Sequence, residues 1–136
     1  MAIRIILADD HAVYRAGVKA MLGSEQDIEV VAETADGRDA VRLAVELRPD
    51  VVVMDLRLPD LSGIEAAREI HARKTGATVV FMSALIDPKF FAQAMHAGVS
   101  GFVAKENAFE ELAPAIRAAA AGKAPAKQAP ARRPNG

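Results

Sequence analysis

The sequence predicts an α/β fold: a five-stranded parallel sheet in the order 2-1-3-4-5 with five helices packed on both faces. Two observations carry this expectation. Short runs rich in Val, Ile and Leu alternate with longer amphipathic stretches along the chain, and such alternation implies right-handed βαβ crossovers. Two of the runs, Val51-Val52-Val53-Met54 and Val79-Val80-Phe81-Met82, are apolar throughout, as strands covered on both faces should be.

Taken in order, Ile3, Ile5, Ile6 and Leu7 form a first strand that ends at Asp9. Residues 11–22 read as a helix with Val13, Gly17, Val18, Met21 and Leu22 on one face. Residues 28–32 are the second strand. Asp36, with Asp39 in the first turn, caps a helix that runs through Leu47 and stops at Pro49. After the third strand, Ser62 and Glu65 have the spacing of a capping box for a helix reaching Arg73. After the fourth, Asp87 followed by Pro88 opens a helix that ends before Gly98. Phe102 and Val103 make a short fifth strand, and Asn107 with Glu110 opens a last helix that ends at Gly122. Pro114 lies inside that helix, removes one of its hydrogen bonds and is expected to kink it.

Composition bounds the function. A chain of 136 residues, half of it apolar and a quarter charged, is one domain with a real core. It has no cysteine, which excludes disulfides and thiolate metal sites. The early apolar run meets Asp9 and Asp10 at once, too soon for a signal sequence or a membrane span, so a cytoplasmic location with no membrane contact is expected. Residues 122–136 carry four of the 17 basic side chains and no acid, leaving 13 basic against 18 acidic in the rest. An acidic body with a basic tail is not the footprint of a nucleic-acid binder. The tail, residues 123–136, is Pro- and Ala-rich and reads as a disordered linker following a domain of residues 1–122.

In open sheets of this order, ligands bind at the carboxyl ends of the strands beside the switch in order, here strands one and three. Those ends carry chemistry. Asp9 and Asp10 follow strand one, Asp55 follows strand three, Ser83 and Ala84 end strand four, and strand five leads into Lys105. Clustered carboxylates raise one another's pKa unless a cation joins them, and an oxygen donor set favours a hard ion such as Mg²⁺. A carboxylate can carry a phosphoryl group as an acyl phosphate, while a metal, a lysine and a hydroxyl hold its oxygens. Ala84 is small and leaves room for an incoming group. Each residue alone has a plainer reading: Asp10 as a helix cap, Asp55 as a strand exit, Ser83 as a turn residue, Lys105 as a solvated side chain. Their joint fall at the strand exits is what favours a site. His11 borders the acids and reads as an exposed first-turn residue; His71 and His96 read as helix-surface residues, and none of the three has metal-ligand spacing.

The segments Ala8-Asp9-Asp10-His11, Met54 to Gly63, Met82-Ser83-Ala84 and Ala97 to Lys105 together resemble the receiver domains of bacterial two-component response regulators, a flavodoxin-like fold. The resemblance runs from residue 2 to about residue 122, and is nearest to the NarL/FixJ-type branch. It implies that Asp55 accepts a phosphoryl group from a sensor histidine kinase. Asp9, Asp10 and Asp55, with the backbone carbonyl of Arg57, would hold Mg²⁺. Lys105 would pair with the acids or the phosphoryl group, and Ser83 would hydrogen-bond a phosphoryl oxygen. Phe102 falls at the aromatic switch position, turning inward as Ser83 is drawn to the phosphate and remodelling the surface of helix four, strand five and helix five. Such a domain catalyses only its own phosphorylation and dephosphorylation, and a homodimer is a further expectation.

The chain departs from the family in placing Glu106, rather than proline, after Lys105. Arg57 and Leu85 sit where the family tunes dephosphorylation. Members of the branch usually carry a carboxy-terminal helix-turn-helix, which fifteen proline-rich residues cannot build. The chain therefore reads as the receiver portion of a DNA-binding transcriptional regulator, or as a stand-alone regulator acting through protein contacts. A receiver-like module that works without phosphorylation is opposed by the complete site. A phosphatase on a related fold is opposed by Arg57, where a second aspartate would be needed, and a flavin carrier by the acids after strand one; no Gly-x-x-x-x-Gly-Lys-Ser/Thr loop is present either.

Overall fold

The computed structural model describes residues 2–84, 88–97 and 99–122. Five strands, β1 (Ile3–Ala8), β2 (Ile28–Thr34), β3 (Val51–Met54), β4 (Thr78–Ser83) and β5 (Gly101–Ala104), alternate with five helices, α1 (Ala12–Gly23), α2 (Gly37–Leu47), α3 (Gly63–Ala72), α4 (Pro88–His96) and α5 (Ala108–Ala120). The strands form one sheet in the order β2-β1-β3-β4-β5, every neighbouring pair parallel. That is the expected topology.

Because side chains alternate along a strand, the sheet divides the core in two. Ile6, Ala8, Val52, Met54, Val79, Phe81 and Phe102 face α2, α3 and α4. Ile5, Leu7, Val51, Val53, Val80, Met82 and Val103 face α1 and α5. The apolar β3 and β4 runs are buried from end to end apart from Thr78, since helices cover both sides of the sheet.

The caps that the sequence predicts form at two helices. Asp36 accepts the Asp39 amide at 2.8 Å, and Ser62 accepts the Glu65 amide at 3.2 Å. The cap expected at Asn107 does not form: Asn107 makes no side-chain capping bond, and a 3₁₀ turn over Lys105–Asn107 leads into α5 instead. That turn lets the chain leave Lys105 at the rim and enter the helix without a break. Residue 1, Leu85, Asp87, Gly98 and the tail from residue 123 lie outside the described residues.

Two other expectations need correction. Val13 is not on the buried face of α1 but is 88% exposed. Val18 and Leu22 carry the burial, with Tyr14 and Met21 packed beside them, so it is Tyr14 and not Val13 that turns inward from the first turn. The helix itself starts at Ala12, with His11 as N-cap and no side-chain capping bond, so Asp10 does not cap it. α5 runs continuously through Pro114; that residue is exposed, so the carbonyl it leaves unbonded is on the solvent side.

Candidate functional site

Strand register assembles the site. Ala8 pairs with Met54, Met54 with Phe81, and Ser83 with Ala104, so Asp9, Asp55, Ser83 and Lys105 all emerge at one rim. The ladder continues one residue past the strands: the Asp55 amide donates to the Ala8 carbonyl at 3.0 Å, and the Asp9 amide to the Thr34 carbonyl at 3.0 Å. Both acids are thereby pinned by backbone, and both are buried, Asp9 at 0% and Asp55 at 4% exposure.

Lys105 joins them. Its Nζ lies 2.8 Å from Asp9 Oδ2 and 2.8 Å from Asp55 Oδ2. Burial alone would lower the pKa of this ammonium, but the Asp55 and Asp9 carboxylates outweigh it and hold the pKa above the usual value. Asp9 Oδ2 is wholly buried, and its charge is met by this ion pair with Lys105. The other Asp55 oxygen, Oδ1, accepts the Arg57 amide at 3.0 Å. Asp10 stands at the open side of the pocket, its side chain 38% exposed.

Asp9, Asp10, Asp55, Arg57, Ser83 and Lys105 stand at this rim, whereas Phe102 lies inside β5 opposite Phe81. Ser83 is buried at the end of β4 and, with Arg57, lines a groove of about 480 Å³ between α3 and α4. Phe102 is 4% exposed, already on the inward side, with its ring edge-to-face against Phe81 at 6.0 Å between centroids. His11 borders the acids and is exposed, as expected: Nδ1 lies 3.3 Å from Asp9 Oδ1 and 3.3 Å from Asp10 Oδ1.

Three contributors were not visible in the sequence. Tyr14 donates from its hydroxyl to the Lys105 carbonyl at 2.8 Å, and its ring lies 4.7 Å from the Lys105 ammonium, a cation–π contact that orients the lysine. Its pKa is raised, chiefly by burial. The one signal was its place one helical turn after His11. Arg15 donates to the Asp9 carbonyl and pairs with Glu33 at 3.0 Å, bracing the Asp9 backbone. Gly63 allows α3 to start against the end of β3: a Cβ there would lie 2.5 Å from the Asp55 carbonyl oxygen.

A donor set of one ligand atom each from Asp9, Asp10, His11 and Asp55 lies within 4.8 Å of one another. Several carboxylates against a single ammonium leave the pocket negative, and an oxygen-rich donor set of this kind suits a hard cation. The residues fit a hard divalent ion.

Fold and rim together define a doubly wound α/β domain that gathers a buried carboxylate, a lysine, a hydroxyl and an acidic cation pocket at its switch point. Residues 5–117 match the response regulator receiver domain family. The chain is 40% identical over 121 residues to the transcriptional regulatory protein LiaR of Bacillus subtilis, covering 89% of this chain and 57% of LiaR. It is 38% identical over 117 residues to the response regulator protein VraR of Staphylococcus epidermidis, covering 86% of this chain and 56% of VraR. Among solved structures it resembles a LuxR-family two-component response regulator from Aurantimonas, with TM-score 0.88, 38% identity and coverage of 98% and 92% of the two chains. It also resembles the receiver domain of NarL from Mycobacterium tuberculosis, with TM-score 0.86, 30% identity and coverage of 90% and 98%. The chain belongs to the response regulator receiver domain family, and its relatives place it in the NarL/FixJ-type branch. It spans somewhat more than half the length of the curated relatives it matches. Among the described residues no helix is long and apolar enough to cross a membrane.

Proposed function

We propose that this receiver accepts a phosphoryl group on Asp55 from a sensor histidine kinase, with Mg²⁺ held by Asp9, Asp10, Asp55 and the Arg57 carbonyl. The observation that carries the reading is the Lys105 ammonium set 2.8 Å from both Asp9 and Asp55, beside a cluster in which Asp9, Asp10 and Asp55 each offer a carboxylate oxygen within 4.8 Å of the others. When bound, the ion neutralises charge on the phosphoryl oxygens. The Arg57 amide and Lys105 fix the plane of the Asp55 carboxylate, so one of its oxygens is presented to phosphorus while the bond from phosphorus to the donor breaks. Lys105 then holds a phosphoryl oxygen, and the Ser83 hydroxyl donates to another. The added negative charge at the rim is relayed from β4 to β5 by Phe81 and Phe102, which are paired in register and by their rings, and the surface of α4, β5 and α5 is the output.

Several further readings rest on the family. Residues 1–122 are the signalling domain, and the basic tail from residue 123 is a linker. A cytoplasmic location fits a partner kinase that carries its phosphohistidine there. The relatives named as transcriptional regulators support a DNA-binding output elsewhere in the protein, with no nucleic acid bound by this domain. Val13 and Phe109, exposed at 88% and 63%, leave apolar surface next to the site for a kinase or a second copy.

The test is incubation with Mg²⁺ and a small acyl phosphate, followed by intact mass. One phosphoryl group is expected on the wild type and none on Asp55→Asn. An unmodified wild type, or equal labelling of the variant, overturns the reading.

A further inference from the structure

Lys105 serves the proposed chemistry from the end of a long, flexible stem, just beyond β5 and with Glu106 after it. A distant residue of α1 restrains it. The Tyr14 hydroxyl donates to the Lys105 carbonyl at 2.8 Å, an oxygen that also accepts the Ala108 amide as the chain turns into α5. The Tyr14 ring lies 4.7 Å from the Lys105 ammonium. One half-buried side chain thus holds the lysine at its root and at its tip, and the Lys105 side chain is only 11% exposed.

These contacts differ in kind from the ion pairs that Lys105 makes with Asp9 and Asp55. Phosphoryl transfer turns the Asp55 carboxylate into an acyl phosphate: a bond forms from one carboxylate oxygen to phosphorus, the bond from phosphorus to the donor breaks, and its electron pair leaves with the donor. The ion pair between Lys105 and Asp55 must then give way to one between Lys105 and a phosphoryl oxygen. Neither Tyr14 contact involves a reacting atom, so neither has to break. A hold that outlasts the ground state is what keeps a charge preorganised for the transition state.

We infer that Tyr14 is a positioning residue for phosphoryl transfer: with its hydroxyl on the Lys105 backbone and its ring beside the ammonium, it keeps the lysine charge where the phosphoryl oxygens arrive. The inference rests on the phosphoacceptor role of Asp55 in the proposed function. It gives the two parts of the phenol separate work, the hydroxyl fixing where the stem begins and the ring fixing where it ends. Because Tyr14 acts through Lys105, its effect on the reaction disappears once the ammonium is gone.

The experiment is a double-mutant cycle in Mg²⁺ over the wild type, Tyr14→Phe, Lys105→Met and the double variant. It reads the rate of labelling by acetyl phosphate, from intact mass, and the affinity for beryllofluoride, a phosphoryl mimic, from calorimetry. Tyr14→Phe keeps the ring and loses the hydroxyl. Its labelling at saturating donor should slow about three- to tenfold, while the half-saturating donor concentration moves by less than about twofold. Beryllofluoride affinity should fall by a similar factor. In the Lys105→Met background the same substitution should change either quantity by less than about twofold. Tyr14→Leu, which lacks ring and hydroxyl, should be slower than Tyr14→Phe. Thermal unfolding in parallel shows that each variant is folded at the assay temperature, and calorimetry decides the cycle where Lys105→Met is labelled too slowly to time. Equal losses in both backgrounds, or wild-type rate and affinity in Tyr14→Phe, overturn the inference while labelling of wild-type Asp55 leaves the proposed function standing. If the wild type takes up no phosphoryl group, the proposed function falls and this inference with it.

Discussion

The Lys105 ammonium is held 2.8 Å from the Asp55 carboxylate by a backbone that Tyr14 ties down through the Lys105 carbonyl. The lysine is thus oriented from both ends, by the acids at its tip and by the tyrosine at its root. Its charge offsets the repulsion between buried carboxylates that the function requires to be close. A site of this kind is strained by its own charges, and stability should respond to them.

Replacing Lys105 with methionine removes the only ammonium facing Asp9 and Asp55 among the described residues. In metal-free buffer the variant is expected to be less stable by about 1–3 kcal/mol, the cost of a buried charged group losing its partner, and excess Mg²⁺ should recover part of the loss. The alkaline limb separates the cause. Lys105 has a pKa raised above its ordinary 10.5, so its contribution is fully present below that pH and is lost as pH rises through the folded value. Tyr14, raised above its ordinary 10.0, acts in the same direction, because the unfolded chain releases that proton first. Urea midpoints measured from pH 9 upward should fall less steeply in Lys105→Met and in Tyr14→Phe than in the wild type. Parallel curves would mean that neither group is linked to folding.

Gly63 and Gly23 make opposite predictions for the same substitution. At Gly63 a methyl group would lie 2.5 Å from the Asp55 carbonyl oxygen and 2.9 Å from the Leu56 Cα. Backbone must shift there, at a cost of about 1–3 kcal/mol, and the shift falls on the phosphoacceptor itself, so phosphoryl uptake should slow as well. At Gly23, the last residue of α1, nothing lies within 4 Å of the added carbon. Gly23→Ala should be neutral or gain up to about 1 kcal/mol. Thermal unfolding and acyl-phosphate labelling of the pair check both statements.

Asp60 holds the start of α2 from a distant loop. Its carboxylate accepts the Gly37 amide at 2.8 Å and the Arg38 amide at 3.1 Å. Desolvation would raise the Asp60 pKa, but these amides more than offset it and hold the pKa below the ordinary 3.8. Asp60→Ala should cost about 0.5–2 kcal/mol, as loss of a helix cap does, with an unchanged dependence on denaturant. A lowered carboxylate stabilises above its unfolded pKa. The difference between variant and wild type should therefore shrink as pH falls below about 4, where the unfolded chain takes up its proton. A difference that persists at low pH would mean that packing of the loop, not the charge, holds the helix.

Several features were legible before any coordinates because they are local. The alternation of apolar runs and amphipathic stretches, the caps at Asp36 and Ser62, and the acids, hydroxyl and lysine at strand exits all follow from short-range pattern. Parallel crossovers have one hand, so strand order and the rim were legible too. The exposure of Val13 was misread because periodicity placed it in the apolar stripe of α1, whereas Tyr14 beside it turns inward. The Asn107 cap was misread because spacing alone does not reveal that a 3₁₀ turn intervenes.

Sequence by itself determined which residues meet at the rim, since register and chirality bring strand ends together whatever the side chains do. Only tertiary structure decided how they are held: Tyr14 under Lys105, Arg15 behind Asp9, Gly63 against Asp55, Asp60 on the start of α2, and His11 folded over the acids. Those contacts join side chains to backbone groups far away in the chain or round a turn, and their geometry depends on how helices settle on the sheet. Pattern reading has no access to that distance.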